Sequence, residues 1–373
     1  MIRLLALTML LWVASGCRAQ VSPPPLESQR SVDVQQPLTH RPVAAPPAVT
    51  GRQPLLWVSL GAHLGARADA APLTLTAASG SLSLEDRSGR RWSAASVQIS
   101  WRSVPLEQPL ALARRVAGPF ASFESAERVA LRWRALGVAA EVAHPADWEV
   151  WAPAGAPAPG DLPVRDWSTR LESSVEPVLQ LPEGGTTLKG PLQIDAPGGL
   201  RWGKGVFQGP FRLQRDAYGS WTLVEQVPLE RYLEGVVPHE IGAGSPQAAL
   251  QAQTVLARTW ALANSHRFRI DGYHLCSDTQ CQVYSDPRQA GSAVRQAITA
   301  TQGRLLSWQG KPISAVYHAT NGGVMAAGPE AWAMDAQPYL KAEADGDAGW
   351  QQRHGLPLQQ RSAVASLLAE REG

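Results

Sequence analysis

A chain of 373 residues exceeds what one hydrophobic core usually supports, so two or three domains are expected. With 44% hydrophobic and 18% charged residues, the composition is that of a globular protein and excludes both wholesale disorder and a bundle of membrane spans. The net charge is +2 without a polybasic block, so no basic stripe is present to grip a phosphate backbone and nucleic acid is excluded as an expected partner.

In chain order, residues 1–17 read as an export signal: Arg3 supplies the positive start, and residues 4–13 form an apolar run too short to span a bilayer. The run ends in Ala14-Ser15-Gly16-Cys17, which resembles the lipobox of bacterial lipoproteins, with Ala14 where that motif prefers Leu. Lipidation of Cys17 implies a membrane anchor, and the alternative is ordinary cleavage near Ala19; both put the chain in the cell envelope, outside the cytoplasm. Residues 18–53 are rich in Pro, Gln, Ser and Thr and read as a disordered tether.

Residues 54–151 form the first predicted domain, small and α+β. Strands are expected at 55–60 and 97–101, then a helix that Ser122 or Ser125 can N-cap and that Gly137 stops. Phe123, Ala126, Ala130 and Trp133 recur at three- and four-residue spacing, so one face of that helix is buried. Strands at 138–142 and 148–151 complete the unit, and the Pro/Ala/Gly-rich residues 152–170 read as a linker. The segment Val116-Ala-Gly-Pro-Phe-Ala-Ser-Phe-Glu-Ser-Ala-Glu, with the helix and Leu136-Gly-Val-Ala-Ala-Glu-Val, resembles the SPOR domain of bacterial envelope proteins, which binds peptide-stripped glycan. The alternative is an unremarkable α+β domain.

Residues 171–350 form the second predicted domain, and 351–373 a tail with a short helix. Strands at 211–213 and 221–224 precede Glu230-Arg-Tyr-Leu-Glu-Gly-Val-Val-Pro-His-Glu. Leu229, Leu233 and Val236 share a helical face, and Pro238 ends regular helix at its predecessor, so Glu240 falls just past a break. Flanked by Val236, Val237 and Ile241, its carboxyl group is partly out of water, a setting suited to a general acid. A structural cap on the next helix is the alternative role. Ser245 and Pro246 open that helix. Ala249, Ala252, Leu256, Trp260 and Ala263 give it an apolar stripe, and Gln247, Gln251, Thr254 and Arg258 a polar one. Arg258 in so Ala-rich a helix calls for an anion or a ligand, unless the stripe faces solvent.

Further on, His274, Cys276 and Cys281 lie within eight residues and could supply three ligands of a tetrahedral zinc site; an exported chain could equally bridge the two Cys. Asp286 and Pro287 start another helix that Gly303 stops, and residues 305–308 and 313–317 form a hairpin across Gln309-Gly310. Of the fourteen Trp residues, only Trp332 is singled out as a sugar contact.

These blocks together carry a resemblance. Glu230 to Glu240, Ala248-Ala-Leu-Gln-Ala-Gln-Thr-Val-Leu-Ala-Arg-Thr-Trp-Ala, Cys281-Gln-Val-Tyr, Thr301-Gln-Gly-Arg, Gly310-Lys-Pro-Ile-Ser-Ala-Val-Tyr-His-Ala-Thr-Asn-Gly-Gly and Pro338-Tyr-Leu resemble the SpoIID/LytB family of peptidoglycan proteins. The resemblance implies an α+β, SpoIID-like mixed α/β catalytic domain behind the smaller SPOR-like one. It also implies a lytic transglycosylase that cuts peptide-stripped glycan strands, or an enhancer of a cell-wall amidase. On it Glu240 is the catalytic acid/base and Arg258 its arginine, while Gln251, Tyr317, His318, Thr320 and Asn321 bind substrate. Some members carry zinc near the Cys segment, which would make His274, Cys276 and Cys281 ligands of a structural Zn2+, with His318 a conceivable fourth. Where the family continues with Met-Pro and Trp-Pro, this chain has Ile241-Gly-Ala-Gly-Ser-Pro, which touches substrate preference. A hydrolytic glycosidase needs two carboxylates; with no obvious partner for Glu240, transfer to the substrate's own C6 hydroxyl is the expected chemistry. No Gly-x-Ser-x-Gly, His-Glu-x-x-His or phosphate loop is present.

Overall fold

The computed structural model describes residues 37–182, 184–345 and 361–372. The export signal and Cys17 lie outside the described residues. Fifteen strands build two sheets: β1 (Leu55–Leu64), β2 (Leu73–Ala77), β3 (Leu82–Glu85), β4 (Arg91–Ala94), β5 (Ser96–Phe120), β6 (Glu141–Ala143), β7 (Trp148–Pro153), β8 (Val164–Leu181), β9 (Gly184–Thr187), β10 (Leu192–Asp195), β11 (Leu200–Trp202), β12 (Gly205–Phe207), β13 (Phe211–Arg215), β14 (Trp221–Pro228) and β15 (Leu275–Cys276). One sheet runs β15-β1-β14-β13-β10-β3-β4, and the other β12-β11-β2-β5-β7-β6, with β8 and β9 branching from β5. The fold is α+β, as the sequence predicts.

The alternating burial of β2 and β3 shows why these segments are strands: Leu73, Leu75, Leu82 and Leu84 point inward between exposed polar neighbours. They meet Leu56, Val58, Ile194, Phe211 and Leu223 in the main core. Helices α1 (Phe123–Ala135), α2 (Leu229–Val237), α3 (Gln247–Ala263) and α4 (Ser292–Ala300) complete the layers, α2 to α4 packing on this core. Ser122 caps α1 by accepting the Ser125 N–H at 3.2 Å, and Gly137, at φ 76°, ends it.

The predicted division into a 54–151 domain and a 171–350 domain is corrected. Strand β1 pairs with β14, β3 with β10 and β2 with β11, so residues from both sides of the expected boundary share each sheet. The predicted linker is also ordered, because β8 runs antiparallel to β5 from Ile99↔Leu179 out to Ala117↔Val164. What separates is an insertion. Beyond the register shift at residues 105–110, the β5–β8 ribbon carries a module made of α1, β6 and β7. Its core of Ala126, Val129, Trp133, Trp148 and Val150 also takes in Phe268, Tyr273 and Cys276 from the main body.

The tether reading is likewise corrected over residues 37–53. Leu38 bridges to Leu112 of β5, Val43 and Val49 pack on the body, and the Pro47 carbonyl accepts a hydrogen bond from His274. The remaining elements are short: β16 (Ser307–Trp308), β17 (Lys311–Pro312), β18 (Val324–Met325), α5 (Gly328–Ala331), β19 (Glu343–Ala344) and α6 (Arg361–Glu372). Strands β16 and β17 form the expected hairpin, tighter than predicted. Gln309 (φ 50°) and Gly310 (φ 74°) both adopt the left-handed region that a two-residue turn needs.

Candidate active site

Helix α2 reaches Pro238, which has no N–H to continue the ladder, and the chain widens into a π-helical turn, Pro238–Gly242. That turn presents Glu240, half-buried, to a cavity of about 370 Å³. Glu240 Oε1 accepts the Val283 N–H at 3.2 Å, which fixes the carboxyl group against the segment after the Cys pair. Tyr317 lies beside it. Burial, and next the negative charge of Glu240, push the Tyr317 phenol above its ordinary range, so it stays a proton-bearing hydroxyl.

Gln282, 1% exposed, holds this arrangement: its Nε2 donates to the Tyr317 hydroxyl at 3.1 Å and its Oε1 accepts from the Tyr232 hydroxyl at 3.2 Å. The Tyr232 phenol is also raised, by burial first and then by Tyr317 and Glu240. Gln282 stood in the Cys281-Gln-Val-Tyr block with no role attached. Its connection to Tyr232, 50 residues away, has no local signal.

The cavity has a second carboxylate that no local motif announces. Glu124, from the start of α1 in the inserted module, lines it together with Phe123, Trp260 and Arg267. Glu124 forms an ion pair with Arg267, whose side chain is 5% exposed. Arg267 also donates to Asn264 Oδ1 at 3.0 Å and to the Gln280 carbonyl at 3.3 Å, and its guanidinium lies over the rings of Phe123 and Trp260. An adjoining cavity of about 390 Å³ shares Tyr317 and Trp332 with the first and adds His318, Tyr339 and Lys341.

Arg258 is not part of this cleft. It is 1% exposed and donates to both oxygens of Glu230, at 2.9 and 2.7 Å, and to the Arg304 carbonyl at 3.0 Å. The anion it needs is therefore a protein carboxylate on α2, and Arg258 lines neither cavity. The inward face of α3 is Leu250, Thr254, Ala257, Arg258 and Ala261, while Ala252, expected inside, is exposed. Gln251 is half-buried on α3 and lines neither cavity. Thr320 and Asn321 also lie outside both linings. Thr320 Oγ1 accepts from the Gly322 N–H, and Asn321 donates to Asp345 at 2.7 Å.

The zinc reading is corrected too. Cys276 and Cys281 form a disulfide with their Cα atoms 5.7 Å apart, so neither sulfur is a thiolate donor. His274 is buried with both ring nitrogens occupied: Nδ1 accepts the Trp57 N–H at 2.8 Å and Nε2 meets the Pro47 carbonyl at 2.8 Å. Burial lowers its pKa, which keeps the imidazole neutral. These three residues do not fit a metal ion. Their work is to tie residues 47, 57 and 274–281 together beneath the cleft.

Known proteins resemble this chain in the same region. Residues 217–308 match the family described as SpoIID, Stage II sporulation protein. The "Stage II sporulation protein D" of Bacillus subtilis (strain 168) is 31% identical over 180 residues, covering 40% of this chain and 52% of that protein. Its counterpart in Bacillus amyloliquefaciens is 36% identical over 135 residues, covering 32% and 39%. An "Amidase enhancer" of Bacillus subtilis (strain 168) is 36% identical over 113 residues, covering 30% and 15%. The chain thus spans about half or less of the length of these relatives. The similarity is centred on residues 217–308, which hold α2, the turn bearing Glu240 and α3.

Proposed function

We propose that this chain is a lytic transglycosylase of peptidoglycan, acting on peptide-stripped glycan strands with Glu240 as its single acid/base. The observation that carries this reading is the cleft's carboxylate inventory: Glu240 faces the cavity beside Tyr317, while Glu124 is held in an ion pair by Arg267. One free carboxyl group suits transfer to an internal hydroxyl better than hydrolysis, which uses two.

Glu240 in its acid form gives its proton to the glycosidic oxygen as the C1–O bond breaks. The C6 hydroxyl of the same N-acetylmuramic acid bonds to C1, and its proton passes to the Glu240 carboxylate. The proton is restored, no water is consumed, and the product carries a 1,6-anhydro ring. The Val283 N–H and the Tyr317 hydroxyl steady the carboxylate between the two transfers. The chain would then work in the cell envelope, outside the cytoplasm, held to the membrane through Cys17. Among the described residues no helix is long and apolar enough to cross a membrane.

The relative named as an amidase enhancer supports a second reading, in which the cleft binds glycan without cutting it and assists a cell-wall amidase. Mass spectrometry of peptide-free strands incubated with the protein and with Glu240→Gln separates the two. The first reading expects anhydro-muramyl ends that fall by about 10² to 10⁴ in rate in the variant. Ordinary reducing ends, or equal activity in both proteins, would overturn it.

A further inference from the structure

We infer that the inserted module completes the substrate site: Glu124, at the start of α1, forms with Phe123 and Arg267 a sugar subsite in the same cavity as Glu240. The inference rests on the glycan reading above and names a substrate contact outside the family-matched segment, from a part of the chain more than a hundred residues before Glu240.

Three observations carry it. The first is location, since Ser122, Phe123 and Glu124 line the cavity that holds Glu240, Trp260 and Trp332. The second is how firmly this wall is fixed. Besides the Glu124–Arg267 pair, Glu127 meets His266 at 2.7 Å, Trp148 Nε1 donates to Gln280 Oε1 at 2.9 Å, and the Phe123 ring stands edge-on to Trp148 and His266. Every main-body partner in these contacts lies between residues 266 and 280, which also borders the cleft. The module is therefore held at the orientation a subsite requires.

The third is the chemistry of the lining. Glu124 Oε1 takes Arg267, and among the described residues Oε2 has no protein partner although the side chain is only 13% exposed. A carboxylate keeps several acceptor positions, so Oε2 can receive a sugar hydroxyl while Arg267 balances the charge. Trp332, partly exposed in the same cavity, supplies apolar surface for a pyranose ring, while Phe123 and Trp260 are buried against the Arg267 guanidinium. A partly buried carboxylate acceptor in this lining fits the hydroxyls of an uncharged N-acetylglucosamine unit, with the lactyl carboxylate of the adjoining N-acetylmuramic acid directed away from Glu124.

The test uses the full chain carrying Glu240→Gln to prevent turnover. Intrinsic Trp fluorescence, to which Trp260 and Trp332 contribute, is titrated with a peptide-free tetrasaccharide of alternating N-acetylglucosamine and N-acetylmuramic acid. Adding Glu124→Gln, which keeps the side-chain shape, or Glu124→Ala is expected to weaken binding at least tenfold in protein that is still folded at the assay temperature, although the thermal midpoint falls because Arg267 loses its counter-charge. Arg128→Ala serves as the seating control, because Arg128 reaches Asp335 at 3.5 Å outside this cavity; it is expected to bind as the parent does. Unchanged affinity in both Glu124 variants overturns the subsite and leaves the glycan reading standing. Equal weakening by Arg128→Ala also overturns it, since the module would then act only through its docking. A parent protein that does not bind the tetrasaccharide removes both readings.

Discussion

Asp271 is 2% exposed and lies where the inserted module meets the main body. It accepts the Tyr218 hydroxyl at 2.9 Å and the Ala217 N–H at 3.3 Å, while Tyr218 in turn accepts the His144 N–H. Burial, and next the charge of Asp216, raise its pKa from 3.8 to about 8. Between those values the folded chain keeps a proton that the unfolded chain has released. The stability Asp271 contributes is thus fully present below about pH 4 and is lost as pH rises through about 8. Thermal midpoints at pH 5, 7 and 9 should fall for the wild type and stay flatter for Asp271→Asn, with a difference on the order of 5 °C at the alkaline end. Parallel profiles would show that Asp271 is ionised throughout. Arg258 gives a second prediction at this scale. Arg258→Met leaves Glu230 without its bidentate partner and should cost about 3 kcal/mol of stability, while turnover per folded molecule is retained; an unchanged midpoint with lost turnover would return Arg258 to the cleft. The sequence made Glu240 legible because a Pro break and a dense run of motif positions surround it. The Arg258–Glu230 pair has no local signal, because the counter-charge sits 28 residues back on another helix. Glu124 and Arg267, 143 residues apart, had nothing local to pair them.

Among the elements, those whose ends are written in local chemistry could be read. Helix α1 has a Ser cap, an apolar period and a Gly stop, and it lies within a residue or two of its expected span. Helix α3 was found but turned the wrong way. Small residues on several of its sides make the apolar stripe ambiguous, and Thr254 and Thr259 bury their hydroxyls by bonding to carbonyls four residues earlier, at 2.6 Å each. The expected cap at Ser245 is displaced too: its hydroxyl donates to the Ile241 carbonyl at 2.8 Å, tightening the loop behind Glu240, and α3 begins at Gln247. The helix expected from Asp286 breaks into a 3-10 turn, Pro287–Gln289, and then α4, because Asp286 is drawn to the Val206 N–H at 3.0 Å as well as to Arg288. At Thr254, Thr259 and Ser245 a bond four residues back displaced the expected pattern, and at Asp286 a tertiary bond to Val206 joins the local cap.

At the scale of the molecule, strand order was the part that sequence could not supply. Among β1 to β4 only β1 is expected from the sequence, and nothing in its apolar run says that its partner β14 lies more than a hundred residues downstream. The consequence can be tested. A chain beginning at Leu171 lacks β1 to β7 and strips β14, β10 and β11 of one neighbour each, so it should show no cooperative thermal transition by circular dichroism; a sharp transition would restore the two-domain reading. The strap over residues 37–53 adds a mechanical property. Leu38 donates to the Ala111 carbonyl at 3.1 Å and accepts the Ala113 N–H at 2.9 Å, as a parallel bridge on β5. A pull on the chain ahead of residue 37, directed along that strand, would load both bonds together in shear. The force would enter through the ribbon that carries the inserted module, and the tension would reach the wall of the cleft that holds Glu124.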